Sequence, residues 1–154
     1  MSISNLFFED DYDEAFSLYG ILSPNIIEHK FIYLINYYLA TSFHMKPDID
    51  VYIKDSPVKF GNYFYYDRDS KNDCFLIQNI SRSIEKIQPQ NTLFEMVEEQ
   101  YYLLERYKRY NFLLKLSGNI TKEPTFALSL QKLNFVYETE LLNLSKTEKS
   151  LLIL

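Results

Sequence analysis

The chain is poor in the residues that build most recognisable chemical sites. It holds one cysteine, two histidines, three glycines and no tryptophan in 154 residues. A single cysteine, Cys74, excludes an internal disulfide and fits a reducing compartment. His29 and His44 are too few to make a zinc site with Cys74, and no C-x-x-C or H-x-x-x-H spacing occurs. Three glycines can hardly build a phosphate-cradling loop, and no G-x-S-x-G is present. Positive charge is scarce as well: 16 Lys and Arg stand against 21 Asp and Glu, for a net charge of -5. Such a balance gives no bulk hold on nucleic acid or an anionic membrane, because that hold rests on neutralising phosphate. The longest apolar run, Phe31–Ile35, is far short of a bilayer span. Neither a cofactor nor a metal is expected, and enzyme is the weaker class.

Aromatic residues are what the chain has in excess, with 14 Tyr and 12 Phe. Hydrophobic residues at 47% and charged residues at 24% are globular composition, and the length suits one domain over residues 1–154. Residues 1–14 read as an acidic arm ending in Glu9–Glu14. The opening residues carry no basic region and only Leu6-Phe7-Phe8 as an apolar stretch, so no signal peptide is expected and the cytoplasm is the address. In that compartment the sequons at Asn79, Asn119 and Asn143 are without consequence.

Periodicity predicts the elements. Phe16–Leu22 has strand composition. Ser23-Pro24 marks a helix start, after which Ile27, Phe31, Leu34, Ile35, Tyr38 and Leu39 recur on one stripe, with Glu28, Lys30 and Asn36 off it. Ile49, Val51 and Ile53 alternate with polar residues as a half-buried strand, and Val58–Tyr66 with Cys74–Ile80 makes a hairpin across Asp67–Asp73. Residues 81–98 are expected to cross irregularly, with a short helix near Leu93–Glu98. Tyr101–Leu104 and Asn111–Ser117 read as strands, Pro124 opens a helix to about Leu133, and Phe135–Leu142 is a strand. Ser145–Ser150 then forms a polar turn before an apolar edge strand, Leu151–Leu154. This order predicts an α+β domain, mainly an antiparallel sheet with two helices on one face and a ferredoxin-like rhythm in the C-terminal half.

Leu104–Leu116, L-E-R-Y-K-R-Y-N-F-L-L-K-L, is the one basic-aromatic cluster, gathering Arg106, Lys108, Arg109 and Lys115. Arg106, Lys108 and Arg109 would contact RNA phosphate while Tyr107 or Tyr110 stacks on bases. The plainer reading is a turn whose cations keep edge strands soluble, and the low pI favours it. Phe60, Phe64 and Tyr66 share one strand face, Tyr63 and Tyr65 the other; a face left open would be an aromatic contact patch, and a covered one would be core. The run Glu9–Glu14 with Asp48 and Asp50 reads as a solvated or docking face more readily than a cation site. Asp67–Asp73 lacks the glycine and the fifth-position oxygen ligand of a calcium loop and reads as a hairpin turn.

The same segment resembles the IPExxx-VDY family of small bacterial proteins. Leu104-Glu105-Arg106 stands for I-P-E, Tyr107-Lys108-Arg109 for the spacer, Tyr110-Asn111-Phe112 for V-D-Y, and Leu113–Leu116 for the apolar strand that follows. Glu105 replaces the proline, Arg106 the glutamate and Asn111 the aspartate, so the literal motif is absent. Gly20-Ile21-Leu22-Ser23, Glu28-His29-Lys30, Leu34-Ile35-Asn36, Thr92-Leu93-Phe94 and the tail Val136–Leu154 carry the rest of the likeness across nearly the whole chain. The resemblance implies no activity, because the family has none assigned. The expected function is a non-enzymatic protein-interaction or adaptor module, a homodimer or an assembly subunit, with contacts through Arg106, Tyr107, Lys108, Arg109, Tyr110, Tyr63 and Tyr65. RNA binding through the basic turn and small-molecule sensing are the alternatives.

Overall fold

A computed structural model describes residues 15–53, 55–82, 84–87, 96–118 and 125–153. The acidic arm, Thr92-Leu93-Phe94 and Pro124 lie outside the described residues. The chain runs β1 (Phe16–Leu22), α1 (Glu28–Leu39), β2 (His44–Ile53), β3 (Ser56–Asp67), β4 (Asn72–Gln78), β5 (Ile84–Ile87) and β6 (Met96–Glu99). A 3-10 turn (Glu105–Tyr107), β7 (Phe112–Gly118), α2 (Thr125–Gln131), β8 (Glu138–Leu141) and α3 (Lys146–Leu151) complete it. Six strands form one antiparallel sheet in the order β2-β3-β4-β7-β1-β8, while β5 and β6 pair apart from it. This is the expected α+β class. Because β7 and β8 each run antiparallel to β1, they are parallel to one another across it, so β7-α2-β8 is a split strand–helix–strand unit.

The period-2 alternation of strands sends successive side chains to opposite faces, and both faces here are apolar. On one, Ile21, Tyr63, Cys74, Leu76, Phe112, Leu114 and Leu116 pack against Phe31, Ile32 and Ile35 of α1 and Ala127 and Leu130 of α2. Phe31 stacks on Phe112 with centroids 3.9 Å apart. On the other, Leu18, Ile49, Val58, Phe60, Ile77 and Leu113 are covered by Leu103, Leu104, Tyr110 and Leu152. The two expected helices therefore share one face, and the opposite face is covered by the 103–110 turn and a third helix.

That third helix replaces the expected polar turn and terminal edge strand. Ser145 caps it, accepting from Glu148 N at 3.2 Å while Glu148 Oε1 accepts from Ser145 N at 2.9 Å, a reciprocal box that satisfies two orphan donors. Its signature, Ser145-Lys146-Thr147-Glu148, stands in the sequence. α1 begins later than expected, at Glu28, because Ser23 is used elsewhere: its N–H and C=O bond the Asn111 side chain at 2.8 and 2.7 Å, and its hydroxyl donates to Phe135 O. Tyr101–Leu104 makes no strand beyond a single bridge of Tyr102 to Ile80. Leu103 N donates to Asn79 O as part of that bridge, but the ladder stops there, because Asn79 N donates to Asn111 O and Leu104 N goes to the Asn79 side-chain Oδ1. Met96–Glu99 is a strand, where the end of a short helix was expected.

Candidate functional site

Among the described residues three places gather polar or aromatic side chains. The first is the turn 103–111, positioned by Asn79, whose Nδ2 donates to Tyr110 O at 2.8 Å and Tyr107 O at 3.1 Å. The cations it presents are engaged by the chain's own C-terminal segment. Arg106 donates to Glu148 Oε1 at 2.8 Å and to Asn143 O, Tyr107 Oη donates to Asn143 O at 2.7 Å, and Arg109 pairs with Glu138. Tyr110 is buried with its ring against Gly20, where a Cβ would fall 2.5 Å from the ring, and its hydroxyl donates to Glu138 and Glu140. Burial and then Glu140 push its phenol up. Lys108 is exposed. Of the expected contact residues here, Tyr110 is thus core, Tyr107 half-buried, and the two arginines are tied to carboxylates while keeping more than half their surface in solvent.

Lys115, which the sequence groups with these cations, is nowhere near solvent. Alternation along β7 points it to the face covered by α3, where it is fully buried and its Nζ donates to Leu152 O at 2.8 Å. Phe16 and Phe75 place their rings 4.8 and 5.4 Å from the ammonium, a cation–π cradle that partly replaces lost water.

The second place lies between α1 and the sheet. Arg82 reaches Glu28 with Nη1 at 2.8 Å and Nη2 at 3.0 Å, and Asp48 with Nε at 2.6 Å and Nη2 at 3.1 Å. Tyr63 Oη donates to Glu28 Oε1 at 2.6 Å. Two planar forks on one guanidinium are the strong geometry for such pairs. The bonds to Asp48 raise Arg82 above its ordinary value, and burial followed by Glu28 raises the Tyr63 phenol. Two local features open this space: Gly61 has no Cβ, and a bulge between Lys46 and Ile49 sets Pro47 and Asp48 opposite it. Tyr63 is therefore buried and Tyr65 half-buried against Phe43, so this face is core and not an open patch. Glu28, placed off the helix stripe by its polarity, faces inward because Arg82 pairs it.

The third place is the aromatic patch that the sequence reading missed. Tyr33, Tyr37 and Tyr38 on the outer side of α1 are 65%, 69% and 58% exposed, so Tyr38, like Ile27 before the helix, lies off the buried stripe on which it was expected. Tyr33 and Tyr37, one helical turn apart, stack at 6.3 Å and 18°, Tyr37 meets Tyr38 edge-on at 5.1 Å, and Tyr38 adjoins Phe135 at 6.1 Å. The i, i+4 spacing of Tyr33 and Tyr37, opposite Phe31 and Ile35, was the signal available.

Cys74 is buried in β4 beneath α1 and α2, and burial, then Asp67 and Asp73, push its thiol up to about 12. Asp67 serves the hairpin turn, accepting from Ser70 Oγ at 2.7 Å and Asp69 N at 3.2 Å. Among the described residues no three His, Cys, Asp or Glu side chains are placed to hold a metal, and no helix is long and apolar enough to cross a membrane. Models of protein families, curated proteins and solved structures offer no match to this chain.

Proposed function

We propose that the chain is a non-enzymatic protein-contact module, an adaptor or assembly subunit of the cytoplasm. The observation that supports this reading is the tyrosine cluster of α1, three large rings held in solvent beside one another. Tyrosine offers contact area at small cost in side-chain entropy and is enriched in interfaces. The likeness to the IPExxx-VDY family adds no activity to it. RNA binding through Arg106 and Arg109 is the weaker reading, since each guanidinium already faces a carboxylate of the same chain.

The test compares wild type with a Tyr33→Ser, Tyr37→Ser, Tyr38→Ser variant of unchanged melting temperature, each used as bait after nuclease treatment. A stoichiometric protein retained by wild type and lost by the variant is the expected result. Recovery of nuclease-sensitive RNA, or turnover of a defined substrate, overturns the reading.

A further inference from the structure

Among the described residues no strand pairs with the outer edge of β2, and that edge is only half guarded. Its first half, His44–Asp48, carries Pro47 and the bulge, both of which spoil pairing with another strand. Its second half, Ile49–Ile53, is regular and lies along a groove of about 580 Å3 lined by Pro47 to Tyr52, Asn62, Ser150, Leu151 and Ile153.

The register shows which main-chain groups this stretch presents. Two residues separate Ile53 from its partner Ser56, so that pair closes a tight hairpin and is hydrogen-bonded, and bonding then alternates. Val51↔Val58 and Ile49↔Phe60 are bonded pairs, whereas Tyr52↔Pro57 and Asp50↔Lys59 are not. Two facts agree with this phase: Pro57 has no N–H to give, and Lys59 O points away from β2 to accept from Arg82 N at 2.8 Å. The N–H and C=O groups of Asp50 and Tyr52 therefore point outward from the edge, into the groove.

We infer that this groove takes an extended peptide segment of a partner protein, added to β2 as a further antiparallel strand. A row of alternating donors and acceptors is matched by another extended main chain. The wall supplies side-chain contacts: Leu151 packs with Ile49 and Val51 on one face and the half-exposed Ile153 lines the groove beside it, so every second peptide residue should be apolar. Asn62 closes the inner end of that wall, almost fully buried. A lone strand fits better than a second copy. Two-fold pairing of β2 with itself would bring the second α3 to the same side of the sheet, against the first.

The inference is independent of the α1 cluster. Its test uses the intact protein and a phage library of nine-residue peptides in which Val, Ile, Leu, Phe or Tyr alternates with Ser, Thr, Gln or Lys. Before any peptide is added, hydrogen exchange should be fast at the Asp50 and Tyr52 amides and slow at Val51 and Ile53. Selected peptides should protect Asp50 and Tyr52. Their affinity should fall at least tenfold in Tyr52→Pro and Asp50→Pro, which remove an outward N–H while leaving the β2–β3 ladder whole, and in Leu151→Arg. Methylating alternate peptide amides should weaken binding only in the phase that faces β2. Slow exchange at Asp50 and Tyr52 in the free protein, a dimer that loses itself on Tyr52→Pro, a library yielding no binder, or binding indifferent to both prolines would each overturn the inference.

Discussion

Gly61 lies against the Glu28 carboxylate so closely that any Cβ there would collide with Oε1. The contact lets a carboxylate of α1 sit between helix and sheet, where Arg82 and Tyr63 satisfy it. Gly61→Ala should force the carboxylate off its partners. Arg82→Ala should leave the buried Glu28 charge unpaired, with Tyr63 Oη as its remaining donor, at a cost of about 3 kcal/mol, the lower end for broken buried pairs because Arg82 itself is one-third exposed. Urea unfolding of both variants checks this, and Glu28→Gln should recover part of the Arg82→Ala loss. A cost below about 0.5 kcal/mol, as for a surface pair, would show the cluster to be incidental.

The Cys74 thiol gives a prediction in alkaline solution. Its folded value, about 12, lies above the ordinary 9.0, so the folded chain holds the proton more tightly than the unfolded one. The resulting stability is full below pH 9 and lost as pH rises from there toward 12. Cys74→Ala should flatten that decline. The native thiol should react with a disulfide reagent at neutral pH on the order of a hundredfold more slowly than in urea.

The elements with strong periodicity were legible: the stripe through Phe31 and Ile35, the alternation at Ile49, Val51 and Ile53, and the hairpin joining Val58–Tyr66 to Cys74–Ile80 all have their place in the fold. What failed depends on partners distant in sequence. Glu28 reads as an outward residue until Arg82, 54 positions on, is brought beside it. Tyr101–Leu104 reads as a strand until Asn79 turns its N–H to Asn111 O and its side chain takes Leu104 N. Lys115 reads as a surface cation because lysine nearly always is one, and only alternation along β7 with α3 above shows otherwise. The Ser145–Glu148 capping box was legible as Ser-x-x-Glu, a signal stronger than the short apolar run Leu151–Leu154 that follows it.

The basic turn leads to a prediction in acid. Partial burial raises the Glu148 carboxyl, but hydrogen bonds from Ser145 and the Arg106 guanidinium outweigh it and hold the group below its ordinary 4.5. The stability this brings is present above that value and lost as pH falls through the depressed folded value. Glu148→Gln, which imitates the protonated form, should cost about 0.5–1 kcal/mol at pH 7, given the exposure of Arg106. The gap from wild type should narrow as pH falls below 4.5. Ser145→Ala should cost about 1 kcal/mol through the lost cap. A gap that does not change with pH would mean that Arg106 and Ser145 leave the Glu148 carboxyl untouched.

Lys115 ties β7 to the C-terminal end of α3, its Nζ donating to Leu152 O at 2.8 Å. Lys115→Met keeps the length and apolar stem of the side chain, so packing against Phe16 and Phe75 should survive. Removing the ammonium also removes the cost of burying it, which offsets part of the loss of its bonds. The local effect should be larger than the global one, because Leu152 O loses its donor. Exchange should quicken at Lys149 and Leu152, whose amides bond Ser145 O and Lys149 O within α3, while Leu114 and Leu116 stay protected. If exchange in α3 is unchanged, the helix is held by Leu152 packing and its cap alone, and the buried ammonium contributes nothing to keeping it in place.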